Sequence, residues 1–487
     1  MLGLCRVWVV NEEQRLPTYA ELAALVQVQA ETIEALRSEV ADLKARLGMN
    51  SRNSSKPPSS EGLGKPVAPK SLRRRTGRKP GGQAGHEGRT LRQVAEPDTI
   101  IEHRPAVCSG CGSGLAQARV VGSQARQVFD LPEIAPEVTE HRLLACRCVC
   151  GVVSKAAAPA GVAAPVQYGP GLAAIAVYLY EGQFLSKERT AQAMGEMFAA
   201  PMSTGTVEAM ANRAMRVIDA SGFYELARSA LRAAGRVHVD ETGMRIAGRV
   251  GWLHVATCEL VCLFIAHRKR GREAIDVMDV LAEAVGIVHR DGWAPYDAYP
   301  IESQLCGAHL LRELQAVCDR AGKTHDEAAC WSCAGSSALL DAKALVDAAF
   351  AAGFTKDRID PVALEAARHH FTSAAWLGRS ETAARRTEPE RKANALARRM
   401  IDRLDDYWRF THDPWAVFDN NTAEREIRMT KIKNKVSGGL RTLEGAVRYA
   451  TLRSYLHTAA KHDVTFLTAL RTVCAGTPWL PQLQPTS

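Results

Sequence analysis

The stretch Arg236-Val237-His238-Val239-Asp240-Glu241-Thr242-Gly243-Met244 constrains this chain more than any other, because an apolar strand runs straight into two carboxylates. Valines at 237 and 239 fit a strand that resumes after Gly243 toward Ile246, and the runs Trp252 to Thr257 and Val261 to Ala266 supply two more. Their short connections predict an antiparallel meander. A carboxylate at the edge of a buried sheet must be hydrogen-bonded, paired or metal-bound, since its charge is costly to leave uncompensated. For Asp240 alone, a solvated turn acid or an N-cap is the plain alternative.

Two downstream acids repeat the pattern. After a helical stretch from Ile275 to Ala284, the residues from Gly286 to Trp293 read as a fourth strand ending in Asp291-Gly292. Much later, Asn421 can cap a helix whose first turn holds Glu424. Two carboxylates on strand ends and one on a helix suit a divalent-metal phosphoryl-transfer site, because Mg²⁺ takes hard oxygen ligands and keeps waters for the nucleophile. Glu424 also has a purely structural reading: Asn421-x-x-Glu424 has capping-box spacing, and Glu424 with Arg428 has ion-pair spacing.

Seven spaced motifs then occur in one order. They are Val239-Asp240-Glu241-Thr242-Gly243, Trp252-Leu253-His254-Val255, His267-x-x-Arg270-Gly271, Asp291-Gly292-Trp293, Cys306-x-x-His309-x-x-Arg312-Glu313-Leu314, Asp419-Asn420-Asn421-x-x-Glu424-Arg425-x-x-Arg428, and Ser437-Gly438-Gly439-x-Arg441 with Arg453-Ser454-Tyr455 beyond it. Together they resemble the insertion sequence 66 family of bacterial transposases across most of the chain. The resemblance implies an RNase H-like catalytic domain of the DDE type, its three acids falling on Asp240, Asp291 and Glu424. It further implies two Mg²⁺ (or Mn²⁺) ions, with Asp240 bridging both and the other acids holding one each. By family position His309 sits near the scissile phosphate, a core histidine being the alternative. Glu241, on the opposite side of the strand from Asp240, is not expected to be a ligand.

At 487 residues the chain is too long for one core, and 46% apolar with 24% charged content reads as a soluble protein of several domains. No apolar run of about 18 residues occurs, and the opening Met1 to Val10 is too short and poorly flanked for a signal peptide. A cytoplasmic protein, nucleoid-associated when on DNA and with no membrane partner, is therefore expected. Its 13 cysteines should be thiols or metal ligands.

Within residues 18–48, Leu22, Val26, Gln29, Ile33, Leu36, Val40, Leu43 and Leu47 step by four and three, the a/d seam of a coiled coil that would make a homo-oligomer. Residues 49–99 read as a flexible basic linker. Its Ser, Asn and Pro tract from Asn50 to Ser60 precedes eight Lys or Arg against one acid between Lys65 and Arg89. That cluster, Arg73, Arg74, Arg75, Arg78 and Lys79 above all, is expected to contact DNA phosphates. Residues 100–155 read as a zinc-binding module. Cys108-x-x-Cys111-Gly112 is one knuckle half, and two of Cys146, Cys148 and Cys150 form the other, a closed structural site. Residues 166–232 read as three helices, Gly171 to Tyr180, Ser186 to Phe198 and Ser203 to Ile218. They suit either a helix-turn-helix that enters a DNA groove with Thr204 to Arg213 or a plain helical bundle.

The catalytic core is expected in two parts, residues 233–320 and 413–475, around a helical insertion at 321–412. A fifth strand passing into a helix is expected at Cys306 to Arg312, and helical periodicity over Asp326 to Ala351, Pro361 to Ala375 and Thr382 to Phe410 predicts an all-helical insert. Cys330-x-x-Cys333 in the insertion looks like half a metal site with no second half near it in sequence, and reads as packing. Past Glu424 the cations Arg425, Arg428, Lys431, Lys433 and Lys435 suit DNA held across the site. The expected fold is thus multidomain α/β, with an RNase H-like mixed sheet behind a coiled coil, a zinc module and a helical domain. The expected activity is metal-dependent cleavage at the ends of a mobile element and strand transfer into target DNA, both double-stranded, with accessory proteins of the same element as further partners. The alternatives are a zinc-containing DNA-binding or regulatory protein without catalysis, and an RNase H-like nuclease without strand transfer.

Overall fold

The computed structural model describes residues 18–47, 91–321, 329–385 and 387–483. The tether from Asn50 to Ser60 and the basic side chains Arg73, Arg74, Arg75, Arg78 and Lys79 lie outside the described residues. Helix α1 (Tyr19–Leu47) begins with a reciprocal cap: the Thr18 hydroxyl accepts the Glu21 N–H at 3.3 Å, and the Glu21 carboxylate accepts the Thr18 N–H at 2.7 Å. Its seam is uncovered, since Leu22, Val26, Ile33, Leu36, Val40 and Leu43 are each at least 45% exposed.

Two compact units follow from the distribution of contacts. Among the described residues the smaller comprises 91–158 and 191–202. It carries two three-residue strands, β1 (Ala145–Arg147) and β2 (Val153–Lys155), paired antiparallel with Cys146 opposite Ser154. Between residues 91 and 158 there is almost no core, and Val121, Val128, Val138 and Val149 stand in solvent.

The larger unit is built on helices and one mixed sheet. Helix α2 (Pro170–Val177) continues through a π turn, Tyr178–Gly182, toward α3 (Lys187–Phe198), whose residues from 191 on count with the smaller unit, and α4 (Thr204–Ala220) and α5 (Phe223–Ala233) follow. The expected caps are present: Ser186 accepts the Arg189 N–H and Ser203 the Thr206 N–H. Helix α4 buries Val207, Ala211, Ala214 and Ile218. Helix α5, which the sequence reading did not separate, leads into the sheet.

Strands β3 (Arg236–Ile246), β4 (Arg249–Thr257) and β5 (Cys262–His267) form the expected antiparallel meander. Helix α6 (Arg272–Met278) crosses to β6 (Ile287–Arg290), which lies parallel to β3, and β7 (Ser303–Leu305) lies parallel to β6. Counting β3 as first, the strands run third, second, first, fourth, fifth across the sheet. Two expectations are corrected here. The first strand does not stop at the carboxylates: β4 pairs with it residue by residue, Asp240 opposite Val255 and Gly243 opposite Trp252, until the chain reverses at Ala247-Gly248, both at positive φ. The fifth strand is Ser303–Leu305, ahead of the expected place, and from Gly307 on the stretch is already the helix expected to follow it, α7 (Gly307–Ala321).

The insertion is helical, as expected, in four pieces: α8 (Trp331–Ala351), α9 (Pro361–Glu381), α10 (Glu388–Asp402) and α11 (Leu404–Trp408). Leu310 and Leu314 of α7 share a core with Leu339, Phe371, Leu396, Met400 and Trp408. The chain then returns through α12 (Asn421–Val436), α13 (Leu443–Lys461) and α14 (Phe466–Cys474). Ala423 and Ile427 of α12 and Tyr449 and Ala450 of α13 cover the other core, against Leu253, Val255 and Phe264 of the sheet. Helix α13 also closes the sheet's edge. The Ser454 hydroxyl accepts the Phe264 N–H at 2.8 Å and the Thr458 hydroxyl the Cys262 N–H at 3.0 Å, so the backbone of β5 is satisfied without another strand.

Candidate active site

Register places the first two acids. In the parallel pair His238 lies opposite His289, and Asp240 and Asp291 each follow two residues further along, Asp291 just past the end of β6. The two histidines are buried and stacked with ring centroids 4.4 Å apart. Beyond them the pairing stops and the strands open toward the carboxylates. Asp291 turns its own loop, its Oδ1 accepting the Trp293 N–H at 2.9 Å.

The third acid arrives on α12, and Asn420 seats it. Its side-chain amide donates to the Val239 carbonyl at 2.7 Å, its Oδ1 lies 2.9 Å from His238 Nδ1, and its backbone N–H points at Cys306 Sγ. The residue before the helix is thus Asn420, and Asn421 is its first residue, a correction to the expected cap. Asn421 bonds Asp419 instead, so no capping box holds Glu424. Nor does the expected Arg428 pair: among the described residues the ionic neighbours of Glu424 are Arg312 and His309, both 3.7 Å away from α7.

Charge at this point is crowded. The Asp240 carboxyl is pushed well above the usual carboxylate range, first by burial and then by Glu241, Asp291 and Glu424. A cation relieves such repulsion, and carboxylate oxygens are the donors a divalent ion of the Mg²⁺ class takes, but Asp240, Asp291 and Glu424 are not gathered within 4.8 Å of one another. Glu241 is differently placed. Arg270 grips it at 2.6 and 2.9 Å and the Tyr296 hydroxyl donates to it at 2.7 Å. The Arg270 guanidinium lies over Trp252 on one side and Trp293 on the other, 4.9 and 4.3 Å from the ring centres. This clamp ties β3, β4 and the Asp291 loop together. His309 is held neutral, its pKa lowered to about 3 by burial and by Arg312 and Arg399. Its ring, Cys306 Sγ and the Glu424 carboxylate gather within 4.8 Å of one another.

With this geometry in view, comparison with known families is informative. The model described as Transposase IS66 family matches residues 165–448, more than half the chain. The chain belongs to that family. The zinc-finger binding domain of transposase IS66 matches residues 105–151, and a family of unknown function (DUF6444) matches residues 11–92. No curated protein matches the chain. The protein is therefore a transposase with a zinc-finger domain. Among the described residues no helix is long and apolar enough to cross a membrane.

In this transposase the zinc-finger thiols sit on two tight turns. Gly112 N–H bonds the Cys108 carbonyl and Gly151 N–H the Cys148 carbonyl, both glycines at positive φ. The Cys111 thiol is drawn down to about 7 by Ser113 and Cys108, and Cys148 is lowered by Cys150. Cys146 lies apart in β1. The two halves are not gathered into a group of three or more donors within 4.8 Å.

The cations of α12 divide. Arg425, Arg428 and Lys435 are exposed and Lys431 is half-buried, whereas Lys433 is turned inward, 4% exposed, with its Nζ over the Tyr449 ring. It is not available to phosphate, which corrects that expectation. Arg448 of α13 is likewise buried, bonded to Glu181 and Asn212. Glu426, the neighbouring acid, faces away into a pair with His457 and Lys461. Sequence reasoning missed Asn420 and the Arg270 clamp as positioning groups. The only trace of the first was an Asn-Asn doublet, of which one residue can begin the helix.

Proposed function

We propose that the transposase cuts a phosphodiester at the end of its mobile element and joins the freed 3′ hydroxyl to target DNA, with Asp240, Asp291 and Glu424 as the catalytic acids. The observation that carries this is the crowding of charge at Asp240, whose carboxyl is raised by burial and by its neighbours Glu241, Asp291 and Glu424. The strand order, with its antiparallel meander on one side of β3 and parallel strands on the other, supports an RNase H-like core. Asp240, Asp291 and Glu424 would hold Mg²⁺ (or Mn²⁺), which when bound activates the attacking oxygen and stabilises the leaving one. Asp240 is the acid whose carboxyl is raised by both of the other two, which supports its sharing the ions with each of them. His309, neutral and beside Glu424, can donate a hydrogen bond to a phosphate oxygen, and Arg312 adds charge to the same side. Glu241 stays with Arg270 and Tyr296, which keeps the Asp291 loop in register.

DNA would reach this site across Arg425, Arg428, Lys431 and Lys435, with the basic linker giving further phosphate contacts. Cys108, Cys111, Cys148 and Cys150 would hold zinc and supply the stability that the module's exposed side chains do not. The uncovered seam of α1 supports self-association. The test is incubation of the full chain with DNA carrying the flanking element's own ends. Mg²⁺-dependent nicking at those ends and joining to a second duplex are expected. Binding without cleavage in either Mg²⁺ or Mn²⁺ would return the protein to a regulatory role, and cleavage without joining to that of a nuclease.

A further inference from the structure

A second set of donors comes together in the insertion. Cys330 is the residue before α8, and Cys333 lies in its first turn. Their spacing gave half a metal site, and packing then supplied what sequence proximity did not: Cys318, from the last turn of α7. The three Sγ atoms all lie within 4.8 Å of one another, with Cys318 Sγ 2.7 Å from Cys333 Sγ. The Ser332 hydroxyl stands 3.1 Å from both Cys318 Sγ and Cys330 Sγ. No disulfide links any two of the three.

Ordinary packing does not account for this cluster. Non-bonded carbon atoms rest about 3.5–4.0 Å apart, and the Cys318 and Cys333 sulfurs lie closer than that. A disulfide would engage two and leave the third beside it, whereas one ion engages all three. A tetrahedral zinc with Zn–S near 2.3 Å sets its sulfurs about 3.8 Å apart. The cluster reaches that by parting Cys318 and Cys333 about 1 Å. The N–H groups that open a 21-residue helix lie beside Cys330, and the Ser332 hydroxyl can donate to Cys318 or Cys330, while burial holds Cys318 and Cys333 toward the neutral thiol until an ion takes up the charge. The chain around them is fixed, with Trp331 buried against Gly378 of α9 and Cys318 buried one turn beyond Leu314.

We propose that Cys318, Cys330 and Cys333 hold one zinc ion, and that this ion ties α7 to the first helix of the insertion. Helix α7 carries His309 and Arg312 two to three turns upstream, so the ion would fix the root of the insertion to the helix that faces Glu424.

The experiment is metal analysis of the purified full chain. The Cys318→Ser/Cys330→Ser/Cys333→Ser chain should contain one zinc fewer than wild type, while Cys108→Ser/Cys111→Ser removes a different one. Should the triple variant not fold, a second chain decides: all five cysteines of the zinc-finger domain changed to serine, with Cys318, Cys330 and Cys333 intact. Loaded with Co²⁺, that chain should show intense thiolate-to-cobalt charge-transfer bands that Cys330→Ser weakens. Equal zinc in wild type and the triple variant would overturn the proposal. So would absence of those bands, or a Cys318–Cys333 disulfide found by mass mapping of zinc-free native protein.

Discussion

The zinc-finger module and the acid site solve opposite problems. In the module, residues 91–158 bury almost nothing, two three-residue strands are the only sheet, and the cysteines lie in the open. At the acid site the sheet is buried on both faces, and the costly groups are the charges that burial traps. On the proposed reading the module depends on zinc to fold, whereas the acid site is folded by its core and takes a cation only to neutralise it.

The largest effect that can test this contrast is removal of zinc. Structural zinc in small modules contributes on the order of 10 kcal/mol. A strong chelator should therefore make residues 100–155 fully sensitive to protease while the five-stranded sheet stays resistant. Equal sensitivity of both would erase the distinction. Next in size is Asp240→Asn. Removing the most crowded charge should slow cleavage by roughly three orders of magnitude or more, yet raise the melting temperature of the metal-free protein, because repulsion from Glu241, Asp291 and Glu424 goes with it. A lower melting temperature would mean that the carboxylate is bound to a cationic partner rather than crowded by acids.

Acid should expose the sheet's buried bases. His238 is held down to about 4 by burial, and His289 to about 2 by burial and by its stacked neighbour. Both folded values lie below the unfolded one of about 6.5. The unfolded chain thus binds more protons between the two, and stability is full above about pH 6.5 and falls as the pH drops. The slope should approach about 1.4 kcal/mol per pH unit for each histidine. Denaturant midpoints between about pH 7 and about pH 5 check this, and a flat profile would place the pair in contact with water. Smallest is the difference between two adjacent amides. Asn420→Ala should cost about 1–3 kcal/mol by stranding the Val239 carbonyl and His238. Asn421→Ala, which loses only an exposed bond to Asp419, should stay within about 0.5 kcal/mol. Equal losses would undo the role given to Asn420.

What the sequence made legible follows the range of the forces involved. Strand alternation, helix caps and the helical insertion are local, and each is found close to its expected place. Asp240 and Asp291 could be read because both end an apolar run, although one of those runs proved to continue. Long-range partners could not be read. Nothing local says that Asn420 and not Asn421 turns inward, that Lys433 lies over Tyr449 while Arg425 faces water, or that Cys318 meets a pair of cysteines across a helix junction. The same holds for Ser454 and Thr458, whose hydroxyls serve the edge of β5 about 190 residues upstream. Each depends on how helices dock, and helical periodicity fixes only which face docks.

The assignment of the third acid is where the account is most exposed, because two glutamates stand one residue apart. The direct measurement is single-turnover cleavage, in Mg²⁺, of DNA carrying the element's own end, with Glu424→Gln and Glu426→Gln chains side by side and DNA affinity measured for both. Glu424→Gln should bind DNA as wild type does and cleave orders of magnitude more slowly. Glu426→Gln, which disturbs only the pair with His457 and Lys461, should cleave at close to the wild-type rate. A folded Glu424→Gln chain that cleaves as fast as wild type would contradict the three-acid site.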